Sequence, residues 1–185
     1  MLSGIEIVES ERKGGNAMNT LIAYSTRYGT SEKVAHLLAE RLPGDVHIQN
    51  VVEQPDVEWA TVDHVIVGSS IRMGKIQDEM TAWLHRNETQ LLKRPLGLYL
   101  CAGTPTAAER QRELEDAYRE VLRAHAYFVE VVGNGYDFER MGFLDKAIVR
   151  MMAKQTVSSL NLDEAMLDEL VESAQASLRT RSENP

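Results

Sequence analysis

Apolar and polar positions along this chain keep two rhythms in turn. Residues 19–25 (NTLIAYS) are a short, almost continuous apolar run, which fits a strand covered on both faces. Residues 30–42 switch to helical spacing, with Val34, Leu37, Leu38 and Leu42 on one face. The exchange then repeats. Strand patterns recur at 46–52, 63–70, 95–103 and 127–135, and helical patterns at 76–92, 106–125, about 140–154 and about 162–179. In 76–92 the apolar side is Met80, Trp83 and Leu84, while 106–125 is predicted as a single, strongly charged helix.

Five strands interleaved with helices call for crossover connections, so the sheet should be parallel, with right-handed crossovers and helices on both faces. The expected architecture is α/β, a doubly wound five-stranded parallel sheet in the order 2-1-3-4-5. Residues 18–180 read as one domain, 1–17 as a flexible tail or an extension ahead of it, and 181–185 as a C-terminal tail.

Composition narrows the partners. With 20 basic against 28 acidic residues the net charge is −8, a poor match for nucleic acid, whose binding needs a basic footprint. Cys101 is the only cysteine, so no intrachain disulfide can form, which suits a reducing cytoplasm. The five histidines are scattered without ligand spacing to it, so no metal site is expected. No apolar run reaches the length of a membrane span, and residues 1–15 place charges after apolar residues, unlike a secretory signal. The segment 140–154 stands apart. There Arg140, Lys146, Arg150 and Lys154 oppose only Asp145, while Phe143, Leu144, Ala147, Ile148, Met151 and Met152 share one stripe. Such a helix either packs its stripe on a sheet or lies peripherally against an anionic membrane.

In an open parallel sheet, ligands bind beyond the carboxyl ends of the strands, where the strand order reverses. Here that point lies between the first and third strands. The loops to inspect are STRYGTS (25–31), GSSIRMGK (68–75) and CAGTPT (101–106). The first leads into a helix N-terminus, whose N–H groups and partial positive charge suit an anion. Thr26 and Ser31 add hydroxyl donors, and Gly29 permits a close backbone approach. Neither GxxxxGK[ST] nor GxGxxG is present, so a single phosphomonoester fits better than a triphosphate or a dinucleotide. The alternative is that Ser and Thr merely cap the helix. The small residues of the second loop would let a flat ring lie against the backbone, although Gly and Ser are also ordinary turn residues. Cys101 is either a reactive thiol or a small packed residue. Residues 137–140 (DFER) either touch a substrate or are solvated.

From Asn19 to Ala39 the chain resembles the signature of the flavodoxin family. An aromatic, a hydroxyl, a small residue, a second hydroxyl and an alanine stand at Tyr24, Thr26, Gly29, Ser31 and Ala35. Ser31 occupies a position where threonine is usual, and Ala23 one where a larger apolar residue is usual. TLIAYSTRYGTSEKVA and VIVGSSIRMGKI are similar to the two flavin loops of the menaquinone-dependent protoporphyrinogen oxidase group, and GFLDKAIVRMMAK to its late helix. The segment 102–126, acidic and helical here, departs from that group, which carries a longer basic insertion.

The resemblance implies non-covalent FMN. Its phosphate would be held by Ser25, Thr26, Arg27, Tyr28, Gly29, Thr30 and Ser31. Its ring would be held by Ser69, Ser70, Ile71, Arg72, Met73 and Gly74, and by Cys101, Ala102, Gly103 and Thr104. The implied activity is an FMN-dependent oxidoreductase passing electrons to a quinone or another acceptor, partnered by a redox protein, a quinone or a small substrate. The alternative is a soluble electron-carrier flavodoxin; a third is an interaction module without flavin. Arg72, beside the expected pyrimidine edge, would favour the anionic reduced flavin by Coulomb attraction, unless it turns outward or pairs with Asp78 or Glu79. The second and third loops lack an aromatic to sandwich the ring, although Tyr136 and Phe138 follow the fifth strand, and an open ring face suits a catalyst.

Overall fold

The structure, a computed structural model, describes residues 18–71, 74–103, 106–136 and 159–183. In chain order these form β1 (Asn19–Tyr24), α1 (Thr30–Arg41), β2 (Asp45–Asn50), a 3₁₀ turn (Trp59–Thr61), β3 (His64–Ser70), α2 (Asp78–Leu91) and β4 (Leu96–Cys101). There follow α3 (Ala107–Ala117), α4 (Glu120–His125), β5 (Phe128–Tyr136), β6 (Ser159–Leu162) and α5 (Glu164–Glu183).

The sheet runs β2-β1-β3-β4-β5-β6. The first five strands pair in parallel, in the order that the alternation of strand and helix patterns predicts. Period-two alternation along each strand divides the core. Leu21 and Ala23, Val65 and Val67, and Leu96, Leu98 and Leu100 pack with Met80, Trp83, Leu114 and Leu122 of α2, α3 and α4. Ile22, Ile66, Tyr99 and Val132 pack on the other face with Val34 and Leu38 of α1 and Leu167 and Leu170 of α5. Complete burial of each such aliphatic side chain stabilises by roughly 1.5–3 kcal/mol, so the two layers hold the strand ends in fixed register.

Two elements depart from the expected pattern. β6 is a sixth strand, antiparallel to β5, with Gly133 opposite Leu162 and Tyr136 opposite Ser159. It ends opposite Gly133, which takes φ 129°, and a Cβ there would lie 2.4 Å from the Asn161 carbonyl oxygen. The charged helix expected over 106–125 is two helices. Tyr118 is extended, at φ −125° and ψ 127°. Its buried hydroxyl donates to the Tyr99 carbonyl at 2.6 Å, so the break turns the ring inward. Thr106 and Glu109 form a capping box that starts α3. The last helix runs to Glu183, beyond the expected 179. The helix expected at 140–154 lies outside the described residues, as does DFER.

Two polar clusters brace the edges of the core. His64, fully buried at the amino end of β3, places Nδ1 3.1 Å from Thr20 Oγ1 and Nε2 2.7 Å from Tyr127 Oη. The connection between β2 and β3 is tied to α2. Trp83 Nε1 donates to the Pro55 carbonyl at 2.9 Å, and Trp59 Nε1 to Asn87 Oδ1 at 3.1 Å. The Arg94 guanidinium lies 4.9 Å from the Trp59 ring centre and donates to the carbonyls of Val62, Trp59 and Gln90.

Candidate functional site

The loops after β1, β3 and β4 meet at the carboxyl edge of the sheet, where the strand order reverses between β1 and β3. Three strands anchor the first of them. Ser25 N–H donates to the Gly68 carbonyl at 3.0 Å, and the buried Ser25 and Ser69 hydroxyls share a hydrogen bond of 2.8 Å. Thr30 Oγ1 donates to the Gly135 carbonyl of β5 at 3.0 Å. Tyr99 Oη of β4 donates to the Ser31 carbonyl at 2.8 Å. The second and third loops are tied as well, by Ile71 N–H to the Cys101 carbonyl at 3.0 Å and Ala102 N–H to the Gly133 carbonyl at 2.9 Å.

The start of α1 is unusual. Its N-cap is Gly29, at φ 85° and ψ −5°, and no side chain caps the helix. That left-handed conformation is one glycine adopts without strain. Serine and threonine capping of α1, the alternative reading of the motif, is therefore not what this loop does. Thr26 Oγ1 instead accepts the Gly29 N–H at 2.9 Å, which folds the loop over the helix end. Ser31 is fully buried in the first turn, and among the described residues its Oγ meets only the Cys101 thiol, without a hydrogen bond of good geometry. Its hydroxyl lies against the Cys101 thiol. Burial pushes that thiol's pKa up to about 12, and the Ser31 contact only partly opposes this. Cys101 is thus a packed, protonated thiol rather than a nucleophile.

The residues expected at the site separate by exposure. Ser25, Gly29, Thr30, Ser31, Ser69, Cys101 and Ala102 are buried. Thr26, Tyr28, Ser70 and Ile71 are half-buried, and Arg27, Gly74 and Gly103 are exposed. The Ser25, Thr30 and Ser69 hydroxyls are committed to protein partners, so they act as struts. Arg72, Met73 and Thr104 lie outside the described residues. Sequence reasoning missed Tyr99. The available signal was a lone tyrosine inside the apolar strand LGLYLC, with a glycine at the matching place of the neighbouring strand.

The arrangement can receive an anionic group: a helix N-terminus without a capping side chain, a left-handed glycine and a buried hydroxyl without an oxygen or nitrogen partner among the described residues belong to the first turn of α1. A doubly wound sheet with its loops gathered at the switch point defines the flavodoxin-like class of α/β protein. The chain belongs to the flavodoxin domain family, which matches residues 21–162. It is 23% identical over 148 residues to the protoporphyrinogen IX dehydrogenase [quinone] of Escherichia coli (strain K12), covering 75% of this chain and 81% of that one. Among solved structures, it is similar to the rubredoxin oxygen:oxidoreductase of Desulfovibrio gigas, with TM-score 0.52 and 16% identity over 88% of this chain. It is also similar to the Flv1 flavodiiron core from Synechocystis sp. PCC6803, with TM-score 0.54 and 15% identity over 89% of this chain. The chain spans 35% and 37% of those two structures, and the likeness concerns the fold. Among the described residues no helix is long and apolar enough to cross a membrane.

Proposed function

We propose that the protein binds FMN non-covalently in this cradle and acts as an oxidoreductase similar in kind to the protoporphyrinogen dehydrogenases, delivering electrons to a quinone or another acceptor. The observation that carries this reading is the Ser31 hydroxyl, buried in the first turn of an uncapped helix with no oxygen or nitrogen partner among the described residues. Leaving a buried hydroxyl unsatisfied costs about 1–3 kcal/mol, and a phosphate oxygen at the helix end would relieve it. Thr26 supports the same ligand. Its oxygen already accepts the Gly29 N–H, which leaves its own proton to be donated outward. Ser70, Ile71 and Gly103, on the open side of the loops, would lie along the ring. When bound, the flavin supplies the capacity to exchange one or two electrons.

The carrier reading ranks second. The second and third loops contribute no aromatic side chain, and a ring with an open face suits a substrate better than a shielded carrier. Titration with FMN tests the site. Thr26→Val combined with Ser31→Val removes two charge-assisted hydrogen bonds of about 1.5–3 kcal/mol each, so affinity should fall by well over tenfold. Wild-type affinity in that variant would remove the phosphate from this loop. An anaerobic reductive titration separates the two activities. Uptake of both electrons at one potential supports the oxidoreductase, with protoporphyrinogen and a menaquinone as the first pair to assay. Two widely separated potentials favour the carrier.

A further inference from the structure

Tyr99 sits in β4, opposite Gly68 of β3 in the parallel register. Its ring lies over that glycine so closely that a Cβ on residue 68 would be 1.8 Å from its Cζ. This path takes the phenol beneath β3 to α1, where its hydroxyl meets the Ser31 carbonyl at 2.8 Å. The side chain is fully buried, and burial holds the phenol's pKa well above its ordinary value, so the hydroxyl remains a donor across the working pH range.

The carbonyl it holds belongs to the planar peptide joining Ser31 to Glu32. Fixing a peptide's carbonyl fixes its N–H as well, and N–H groups in the first turn of a helix point toward its N-terminus. The same turn carries the Ser31 hydroxyl. We propose that Tyr99 is a positioning residue for the anion cradle, holding the first turn of α1 in the conformation that receives the ligand's phosphate and thereby selecting phosphorylated over unphosphorylated flavin. The inference rests on the FMN reading of the site. Tyr99 touches no ligand itself. Its effect passes through the Ser31 peptide, and removing its hydroxyl leaves the ring in place over Gly68 while releasing that peptide.

The test compares FMN and riboflavin, which share the ring and differ in the phosphate. Dissociation constants for both are measured by flavin fluorescence on wild type, Tyr99→Phe and Tyr127→Phe. The last variant removes a buried-side hydroxyl contact, that to His64 Nε2 at 2.7 Å, at the opposite end of the sheet. Tyr99→Phe should weaken FMN by about 3- to 10-fold, the size of one neutral hydrogen bond, and leave riboflavin unchanged. Tyr127→Phe should leave the FMN-to-riboflavin ratio as in wild type. Equal weakening of both flavins by Tyr99→Phe, or no weakening of either, overturns the positioning role while the FMN site stands. A wild-type protein that binds the two flavins equally, or neither, overturns the phosphate cradle and this inference with it.

Discussion

Gly68→Ala should be among the most damaging single-methyl additions available in this protein. The new Cβ would stand 1.8 Å from Tyr99 Cζ and 2.2 Å from both Cε1 and Oη. Carbon atoms pack at about 3.5–4 Å, so the ring must be displaced by roughly 1.5–2 Å, in a core close-packed on all sides. A shift of that size breaks the hydroxyl's bond to the Ser31 carbonyl. Overpacking costs about 1–3 kcal/mol, and a buried hydroxyl left unsatisfied adds about 1–3 kcal/mol. The expected destabilisation is therefore about 2–6 kcal/mol, a large part of the roughly 5–15 kcal/mol of a typical domain. Urea denaturation followed by circular dichroism measures it, provided the m-value is unchanged. Gly97→Ala is the matched comparison. Its Cβ meets the terminal hydroxyl of half-buried Tyr127 at 2.6 Å, whose displacement costs the bond to His64 Nε2 but moves no fully buried ring, so the change should cost less. In a Tyr99→Leu background most of the Gly68→Ala penalty should vanish, because the shorter side chain no longer crosses the glycine. A Gly68→Ala protein within about 0.5 kcal/mol of wild type, or a penalty that persists in the Tyr99→Leu background, would refute the reasoning.

Arg94→Lys should lower stability by about 1–3 kcal/mol, since an ammonium cannot reach three backbone carbonyls and stack on Trp59 together; unchanged melting and unchanged tryptophan emission would contradict this. Alkaline pH should destabilise the fold. The Cys101 thiol ionises near 9.0 when unfolded but only near 12 when folded. Its contribution is thus complete below pH 9 and declines by about 1.4 kcal/mol per pH unit between those values. Buried Tyr99 and Tyr118 and half-buried Tyr127, their phenols also raised by burial, steepen the decline above about pH 10. Cys101→Ser should make the fall shallower by one proton's worth, and urea midpoints from pH 8 to 11 that show identical slopes in both proteins would exclude the thiol. Arg41→Ala should cost less than about 1 kcal/mol, because its pairs with Glu164 and Asp168 lie at the surface with acidic side chains 64% and 68% exposed; a loss above 2 kcal/mol that is insensitive to salt would contradict a surface role.

β1, β3 and β4 were legible because they are covered on both faces, which demands apolar runs the eye can find, and β2 and β5 because their apolar positions keep a strand's spacing. β6 was not. Ser159–Leu162 is four residues long, and its pairing is set by β5 rather than by its own composition. The break between α3 and α4 was hidden for a different reason. The charged periodicity continues through it, and the inward turn of Tyr118 answers to a carbonyl one strand away. At the site, the loops and the helix N-terminus could be named from sequence. The roles of their hydroxyls could not, since Ser25, Ser31 and Thr30 are the same kind of residue by composition. Which is a strut and which is left without a partner depends on Ser69, Cys101 and Gly135, residues distant along the chain.

The pairing of Tyr136 with Ser159 has a consequence for how this chain can be edited. Residues 136 and 159 are paired on adjacent antiparallel strands, so the two ends of the segment 137–158 are neighbours. In an antiparallel pair a two-residue turn suffices to join such ends. A short link can therefore make the same strand connection that 137–158 makes. An Asn-Gly link from Tyr136 to Ser159 would leave the strand order, the α1 cradle and the α5 packing connected as before.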